Sequence, residues 1–438
     1  MNIKSKIAAT LALALTAAPL AAQTNGSNSP YSRYGLGLLS DGGNAFNKGM
    51  AGTAYGFRYG AQLNTKNPAS LSAIDSLSLV FDLGVSLQRA TFKQGGSTAS
   101  ANNTAIDYVT AGFRAAPGLG MAVGLAPYTT IGYSTTRSQT VQGSTDGTTQ
   151  TETYSGDGGL REVFYALGWS PVKPLSVGLK AGYLWGEMEH TVRMAFSDNS
   201  VSSNRQKYSS YVRTYKVDFG VQYTQAIGKA DWLTLGLAYG LGHDIAASSN
   251  YYNQKYVSST LTAADTLRAS SAYSMPHTFG AGLTWNHRNS LYVGADYTLQ
   301  KWGSAKMPEL VDADGYGTLD YRAATGALTD MHRMSVGLEY VPNAEGVQWR
   351  KRIRYRAGFS YATPYFKVGG QDGPRDYTAS FGVALPIMNM HNNRSVLNVS
   401  AQYERVQPKV SGMISENYFR LSIGLTFNER WFMKWKVE

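Results

Sequence analysis

The chain has 438 residues, no cysteine, 16% charged residues and a formal charge of +11. The absence of cysteine excludes a disulfide framework, a thiolate metal site, a thiol nucleophile and a lipid-modified N-terminal cysteine. Low charge, 30 tyrosines and 47 glycines, with almost no helical periodicity, argue against a helical soluble enzyme and for an all-β chain.

Residues 1–22 open with Lys4 and Lys6, continue through an apolar run from Ile7 to Leu15, and end in Ala17, Ala18, Ala21 and Ala22. This pattern predicts a secretory leader cleaved after Ala22, too short to span a bilayer. Its removal lowers the charge from +11 to +9. The remaining charges are scattered and many fall at strand ends. That distribution points to outer-membrane lipid headgroups or lipopolysaccharide as partners and away from nucleic acid. Residues 23–76 are rich in small residues and carry no long alternating run, so they are expected to form an N-terminal hatch. Residues 77–438 are expected to form the barrel.

The first strand shows the pattern most plainly. Leu77, Leu79, Phe81, Leu83, Val85 and Leu87 share one face, and Ser78, Asp82, Gly84, Ser86 and Gln88 the other, with Val80 the exception. Side chains alternate across a strand with period two, and in a membrane barrel the apolar row meets lipid. Further runs lie at 104–115, 119–134, 160–170, 174–196, 206–226, 231–247, 272–286, 290–303, 331–342, 353–367, 375–387, 394–406 and 416–430. With 77–93 they make fourteen strands of a transmembrane antiparallel β-barrel. Connections after even strands are short, as at 116–118, 171–174, 227–230 and 286–289. Those after odd strands are long and polar, at 135–159, 247–271 and 304–330. Such barrels have short periplasmic turns and long outer loops, so both termini are expected in the periplasm; the turn at 342–351 fits least well. Tyr128, Tyr133, Trp169, Trp185, Trp232, Trp285, Trp302, Trp431 and Phe432 are expected in interfacial girdles.

The lumen face collects glycines: 84, 112, 124, 168, 178, 182, 220, 236, 240, 280, 282, 294, 337, 358, 382 and 424. Glycine marks close approach of another backbone, so a body should pack inside. The same face carries Asp82, Arg114, Lys180, Asp218, Asp296, Glu339, Arg356, Glu404 and Arg420, charges of both signs suited to ion pairing with a hatch. Within the hatch stand Ser29-Pro30-Tyr31-Ser32-Arg33-Tyr34-Gly35, Lys48 to Ala54, and Asn67-Pro68-Ala69.

Asn67-Pro68-Ala69, after a Gly/Ala-rich stretch and before the first strand, resembles the hatch of FadL/TodX-type hydrophobic-compound transporters. The opening Ser-Pro-Tyr-Ser-Arg-Tyr-Gly and the ending from Phe427 to Phe432 look like Bacteroidota members. The resemblance implies a fourteen-stranded barrel with an N-terminal hatch. It also implies passive uptake of an apolar small molecule, fatty-acid-like or aromatic, through hatch displacement and sideways exit at a kinked strand. The same fold serves in envelope machines, so the alternative is a non-transport partner: a secretion-system shuttle or a subunit of an outer-membrane assembly complex, working with other envelope proteins.

Catalytic chemistry is not expected. No Gly-x-Ser-x-Gly elbow occurs, the six histidines, 190, 243, 277, 287, 332 and 391, form no spaced metal pair, and neighbours His243 and Asp244 face opposite ways on a strand. Asp312 to Asp320 resembles a calcium loop, but Ala323 stands where the bidentate acid belongs, so a solvated polar loop is expected. Gly35-Leu36-Gly37 lacks the strand–helix surroundings of a nucleotide loop. No cofactor or metal is expected.

Overall fold

A computed structural model describes residues 27–142, 147–198, 200–315, 317–344, 346, 348–387 and 395–430. The leader, the first residues of the hatch, His391, Trp431 and Phe432 lie outside the described residues. Fourteen antiparallel strands form the wall. In chain order they are β1 Ser78–Gln94, β2 Ser97–Ala116, β3 in two arms, Leu119–Pro127 and Thr129–Thr140, β4 Thr149–Val172, β5 Leu175–Phe196, β6 Ser203–Ala226 and β7 Asp231–Gly240. Then come β8 Thr278–His287, β9 Leu291–Gln300, β10 Met331–Tyr340, β11 Arg354–Ala362, β12 Arg375–Pro386, β13 Val396–Gln407 and β14 Ser415–Arg430. The first and last strands pair from Ser78 opposite Arg430 to Lys93 opposite Ser415, which closes the barrel. Closure satisfies the backbone polar groups that lipid would leave unpaired.

The outer face is apolar. Val123, Leu125, Val163, Leu179, Phe219, Val221, Leu235, Leu237, Leu283, Val336, Phe359 and Phe381 are all exposed on it. Tyr215 and Tyr223 bracket this belt on β6. They stand eight residues apart, a rise of about 26 Å along the strand before tilt, in keeping with an apolar band of roughly 25 Å. Trp169, Trp232 and Trp285 mark the end with short turns. Three expected girdle residues are elsewhere. Tyr128 lines the interior, Tyr133 is buried against His190, and Trp302 is fully buried against Tyr365. The reasons are local: β3 bends inward at Tyr128, and Trp302 sits in a one-turn 3-10 helix after β9.

Several strands run past the belt. β4 and β5 pair from Trp169 opposite Val177 to Gln150 opposite Phe196, well beyond the expected start at 160. Beyond the belt neither face meets lipid, so Thr149 to Tyr154 show no alternation to read. The connection after β7 is not an open loop. Ser248–Val257 and Thr260–Ser270 form a hairpin that takes the edge of β6 from Tyr211 to Ser203 where β7 has ended. Met307–Asp312 and Leu319–Ala324 form another.

Residues 27–76 run inside the barrel, and the lumen glycines explain how they fit. A Cβ on Gly178 would stand 2.3 Å from the Ala69 nitrogen, on Gly358 2.3 Å from the Met50 carbonyl carbon, on Gly236 1.9 Å from the Tyr55 oxygen and on Gly120 1.9 Å from the Leu71 oxygen. These distances are impossible for a side chain, so only glycine lets the hatch backbone lie on the wall. The four lie on different strands around the ring, and Gly120, Gly168, Gly178 and Gly220 are direct cross-strand partners. Val80, apolar among the polar residues of the lumen face of β1, packs with Leu63, Leu71 and Ile74 of the hatch.

Candidate functional site: a charged chamber beside an open seam

The seam begins with a broken ladder. β2 and β3 pair only from Ala116 opposite Leu119 to Val109 opposite Leu125. Among the described residues no ladder joins the outer half of β2, Ser97 to Tyr108, to the outer arm of β3. That arm pairs with β4 on one side and, through Thr129 and Thr130, with Leu39 and Leu38 of the hatch. Pro127 supplies no N–H at the break. Between Pro127 opposite Arg161 and Ile131 opposite Gly158, β3 advances four residues while β4 advances three. This one-residue bulge bends the strand. Gly158 and Gly159 accommodate it with φ of +112° and +129°, a region that side-chain-bearing residues avoid.

β2 carries a second bulge at the seam. Tyr108 is opposite Gly84 and Ile106 opposite Val85, leaving Asp107 unpaired in the ladder. Its carboxylate is turned inward to Lys48 Nζ at 2.7 Å and accepts from Ser86 Oγ at 2.9 Å. Tyr108 donates to Asp82 at 3.1 Å and accepts from the Ala45 N–H at 2.8 Å.

Behind the seam lies a chamber of about 440 Å³ whose wall includes Asp41, Lys48, Lys66, Asp107, Tyr128, Lys180, Lys216, Asp218, Arg333, Asp376, Glu404 and Arg420. Its charges are largely matched. Lys180 sits 3.0 Å from Glu162 and 3.5 Å from Asp218, which Lys216 also meets. Arg420 lies 3.4 Å from Glu404. Glu416 accepts from Ser29 Oγ at 2.7 Å. Burial alone would raise the Asp41 carboxyl, but Lys66 and Arg333 outweigh it and hold the group well below its ordinary value. On the long-loop side the chamber is bounded by packed Tyr31, Leu36, Ile131, Tyr133, Met188, Tyr365 and Phe366.

The expected site residues fall as follows. Asp296 accepts from the Ala54 and Tyr55 N–H groups at 2.6 and 3.0 Å, and Asp82 from Asn44 at 2.7 Å. Glu339, fully buried, is held by Arg354 and Arg356, each at 2.6 Å. Lys180, Asp218, Glu404 and Arg420 line the chamber. Arg114 stands apart at the short-turn rim, donating to the Ala116 carbonyl. Asn67 caps the 3-10 turn Pro68–Ala73, its Oδ1 accepting from the Ala69 N–H. Its Nδ2 donates to Tyr55 O at 3.0 Å and reaches the wall at Val221 O, 3.3 Å. Sequence reasoning missed Arg333, which shares the parity of Ser335, Gly337 and Glu339 and was therefore accessible. It also missed Asp107, whose parity is reversed by a bulge that no residue pattern announces, and the hatch residues Asp41, Lys48 and Lys66.

Elsewhere the polar motifs serve the backbone. Asp312 accepts from the Gly315 and Gly317 N–H groups and Asp314 from Thr318, so the calcium-like loop closes on itself. His243 bonds Thr214 and stacks on Tyr215, whereas Asp244 turns to Ser274 and Lys306. Among the described residues no three His, Asp or Glu side chains gather to hold a metal.

A closed fourteen-stranded barrel with a lipid-type exterior and a hatch in its lumen belongs to the outer-membrane class of the FadL/TodX fold. The chain is a member of the BamG family, whose model matches residues 3–438. Among solved structures it resembles the toluene transporter TodX of Pseudomonas putida, with 16% identity over 90% of this chain and 99% of that one and a TM-score of 0.59. The toluene transporter TbuX of Ralstonia pickettii gives 14% identity, 89% and 99% coverage, and 0.59. A FadL homologue of Pseudomonas aeruginosa gives 13%, 90%, 99% and 0.60. At these identities the likeness is one of fold. No curated protein matches.

Proposed function

We propose that the protein is an outer-membrane uptake channel in which a small, largely apolar molecule passes the outer loops, moves past the hatch and leaves sideways through the seam between β2 and the outer arm of β3. The observation that carries this reading is the missing ladder itself. An unpaired strand edge facing lipid exposes backbone polar groups, a cost that an opening between chamber and membrane would justify. A solute leaving there enters the apolar interior of the membrane directly and does not have to cross water. In this reading the long loops face outward, both termini and the short turns are periplasmic, and Asn67-Pro68-Ala69 anchors the movable hatch.

Ala105 lines the chamber at the seam. Ala105→Trp is expected to reduce uptake of a labelled fatty acid or monoaromatic compound to that of cells lacking the protein, with heat-modifiable gel migration, which reports barrel folding, unchanged. Full uptake through a folded Ala105→Trp barrel would sink the lateral route. For topology, a tag at Asp314 is expected to be labelled on intact cells and one at Lys229 only after permeabilisation; the reverse pattern would overturn the orientation.

One observation favours a second reading, a non-transport subunit of an envelope assembly or secretion complex. The chamber wall is charged, and apolar solutes gain about 25 cal/mol per Å² only against apolar surface. In that case Ala105→Trp leaves physiology unchanged, no apolar ligand is taken up by wild type, and crosslinking in cells captures the same envelope protein before and after the substitution.

A further inference from the structure

The outer wall carries two arginines on one cross-strand row. Arg161 on β4, Trp185 on β5 and Arg213 on β6 are direct cross-strand partners, all on the outward face. The row sits one outward position above the exposed pair Tyr183 and Tyr215 that ends the apolar belt. Pro127, where β3 breaks, is opposite Arg161, so the row starts beside the seam. Adjacent strands are about 4.8 Å apart, which places the Arg161 and Arg213 backbones about 10 Å apart with Trp185 on the strand between them.

Two of the three side chains are held in place by their neighbours. Trp185 stacks on Tyr183 at 5.8 Å. The Arg213 guanidinium lies 4.6 Å from the centre of the Tyr211 ring and donates through Nε and Nη2 to the Tyr211 hydroxyl at 2.8 and 2.6 Å. Those bonds spread the side chain along the wall and leave Nη1 free of them. A cation at the level where apolar wall gives way to water meets the phosphates of the leaflet. Arginine's planar fork binds phosphate through paired donors.

We propose that Arg161, Trp185 and Arg213 form a site for a phosphorylated glycolipid of the lipid A type in the outer leaflet, its phosphate between the arginines and its first acyl carbons over Trp185 and the belt below. The choice of lipid A over phospholipid rests on the orientation proposed above, because the row lies at the long-loop end.

The test is native mass spectrometry of the purified full-length protein titrated with lipid A, monophosphorylated lipid A, fully dephosphorylated lipid A and phosphatidylglycerol. Each cation at such a surface is worth a factor of about five. Arg161→Gln and Arg213→Gln are expected to weaken lipid A binding about fivefold each and about twenty-fivefold together, while dephosphorylation weakens binding to wild type to a similar extent. Unchanged binding by the folded double variant overturns the site, and so does equal binding of dephosphorylated lipid A. Phosphatidylglycerol binding as tightly as lipid A overturns the assigned source. The assay uses isolated protein, so it is independent of the cellular orientation that the tag experiment measures.

Discussion

A barrel carrying Gly178→Val and Gly358→Val is expected to assemble in the membrane and leak. At both positions the nearest atoms to an added Cβ are hatch backbone, Ala69 and Pro68 at Gly178 and Met50 and Ala51 at Gly358, all within 2.3 to 2.8 Å. Backbone cannot rotate away as a side-chain end can. Overpacking of this kind costs about 1–3 kcal/mol at each site, and the two sites, on β5 and β11, are far enough apart to add. The seated hatch therefore loses roughly 2–6 kcal/mol relative to a displaced one, and each 1.4 kcal/mol changes the ratio tenfold. The wall itself gains β-branched residues that favour strands. Heat-modifiable migration should be retained while sensitivity to small hydrophilic antibiotics rises sharply, as it should on deleting residues 23–76. Assembled double-valine protein with wild-type permeability would mean that the hatch does not seal the lumen.

How much of this was legible in the residues depends on which forces wrote them. The lipid belt demands strict alternation, so Leu77 to Leu87 and Phe419 to Phe427 reveal strand, face and register at once. The glycine positions announced a close-packed body in the lumen because nothing else would tolerate so many strand glycines on one face. Beyond the belt that constraint relaxes. The hairpin at 248–270 read as loop because its apolar patch, Tyr251, Leu267 and Ala269, is too short to set up an alternating run, and β4 appeared thirteen residues shorter than its 24. The seam was illegible for a different reason. It depends on one extra residue in β3 and on Gly158 and Gly159 bending β4, and a bulge reverses parity without a marker. Pro127 was the available sign, since proline belongs at edges and breaks in sheets. Asp107 escaped notice because its inward direction exists only after the β2 bulge, and Lys48, Lys66 and Asp41 because a hatch without periodicity offers no face to read.

Glu339→Ala is expected to produce the largest loss of stability of any single substitution considered. The side chain is fully buried and accepts from Arg354 Nη1 and Arg356 Nε at 2.6 Å each and from the Tyr59 hydroxyl of the hatch at 2.9 Å. Arg356, 2% exposed, also donates to Asn398 at 2.6 Å and to Gln62 of the hatch at 3.3 Å. Removing the carboxylate leaves two guanidiniums side by side with no anion between them, and breaking a buried pair in this way costs about 3–5 kcal/mol. Glu339→Gln should cost less, since the amide oxygen still accepts one bond. Replacing the group whole, with Glu339→Leu, Arg354→Met and Arg356→Met together, should recover most of the loss, because well-packed apolar residues often match a buried ion cluster. Recovery would be greatest in the wall, where only Asn398 loses a partner, and least in the hatch, where Tyr59 and Gln62 both do. The triple variant should therefore unfold at nearly the wild-type urea midpoint yet show raised antibiotic permeability. A Glu339→Ala midpoint indistinguishable from wild type would mean that the cluster is hydrated and weakly coupled. A triple variant as unstable as Glu339→Ala would mean that packing, not unpaired charge, sets the cost.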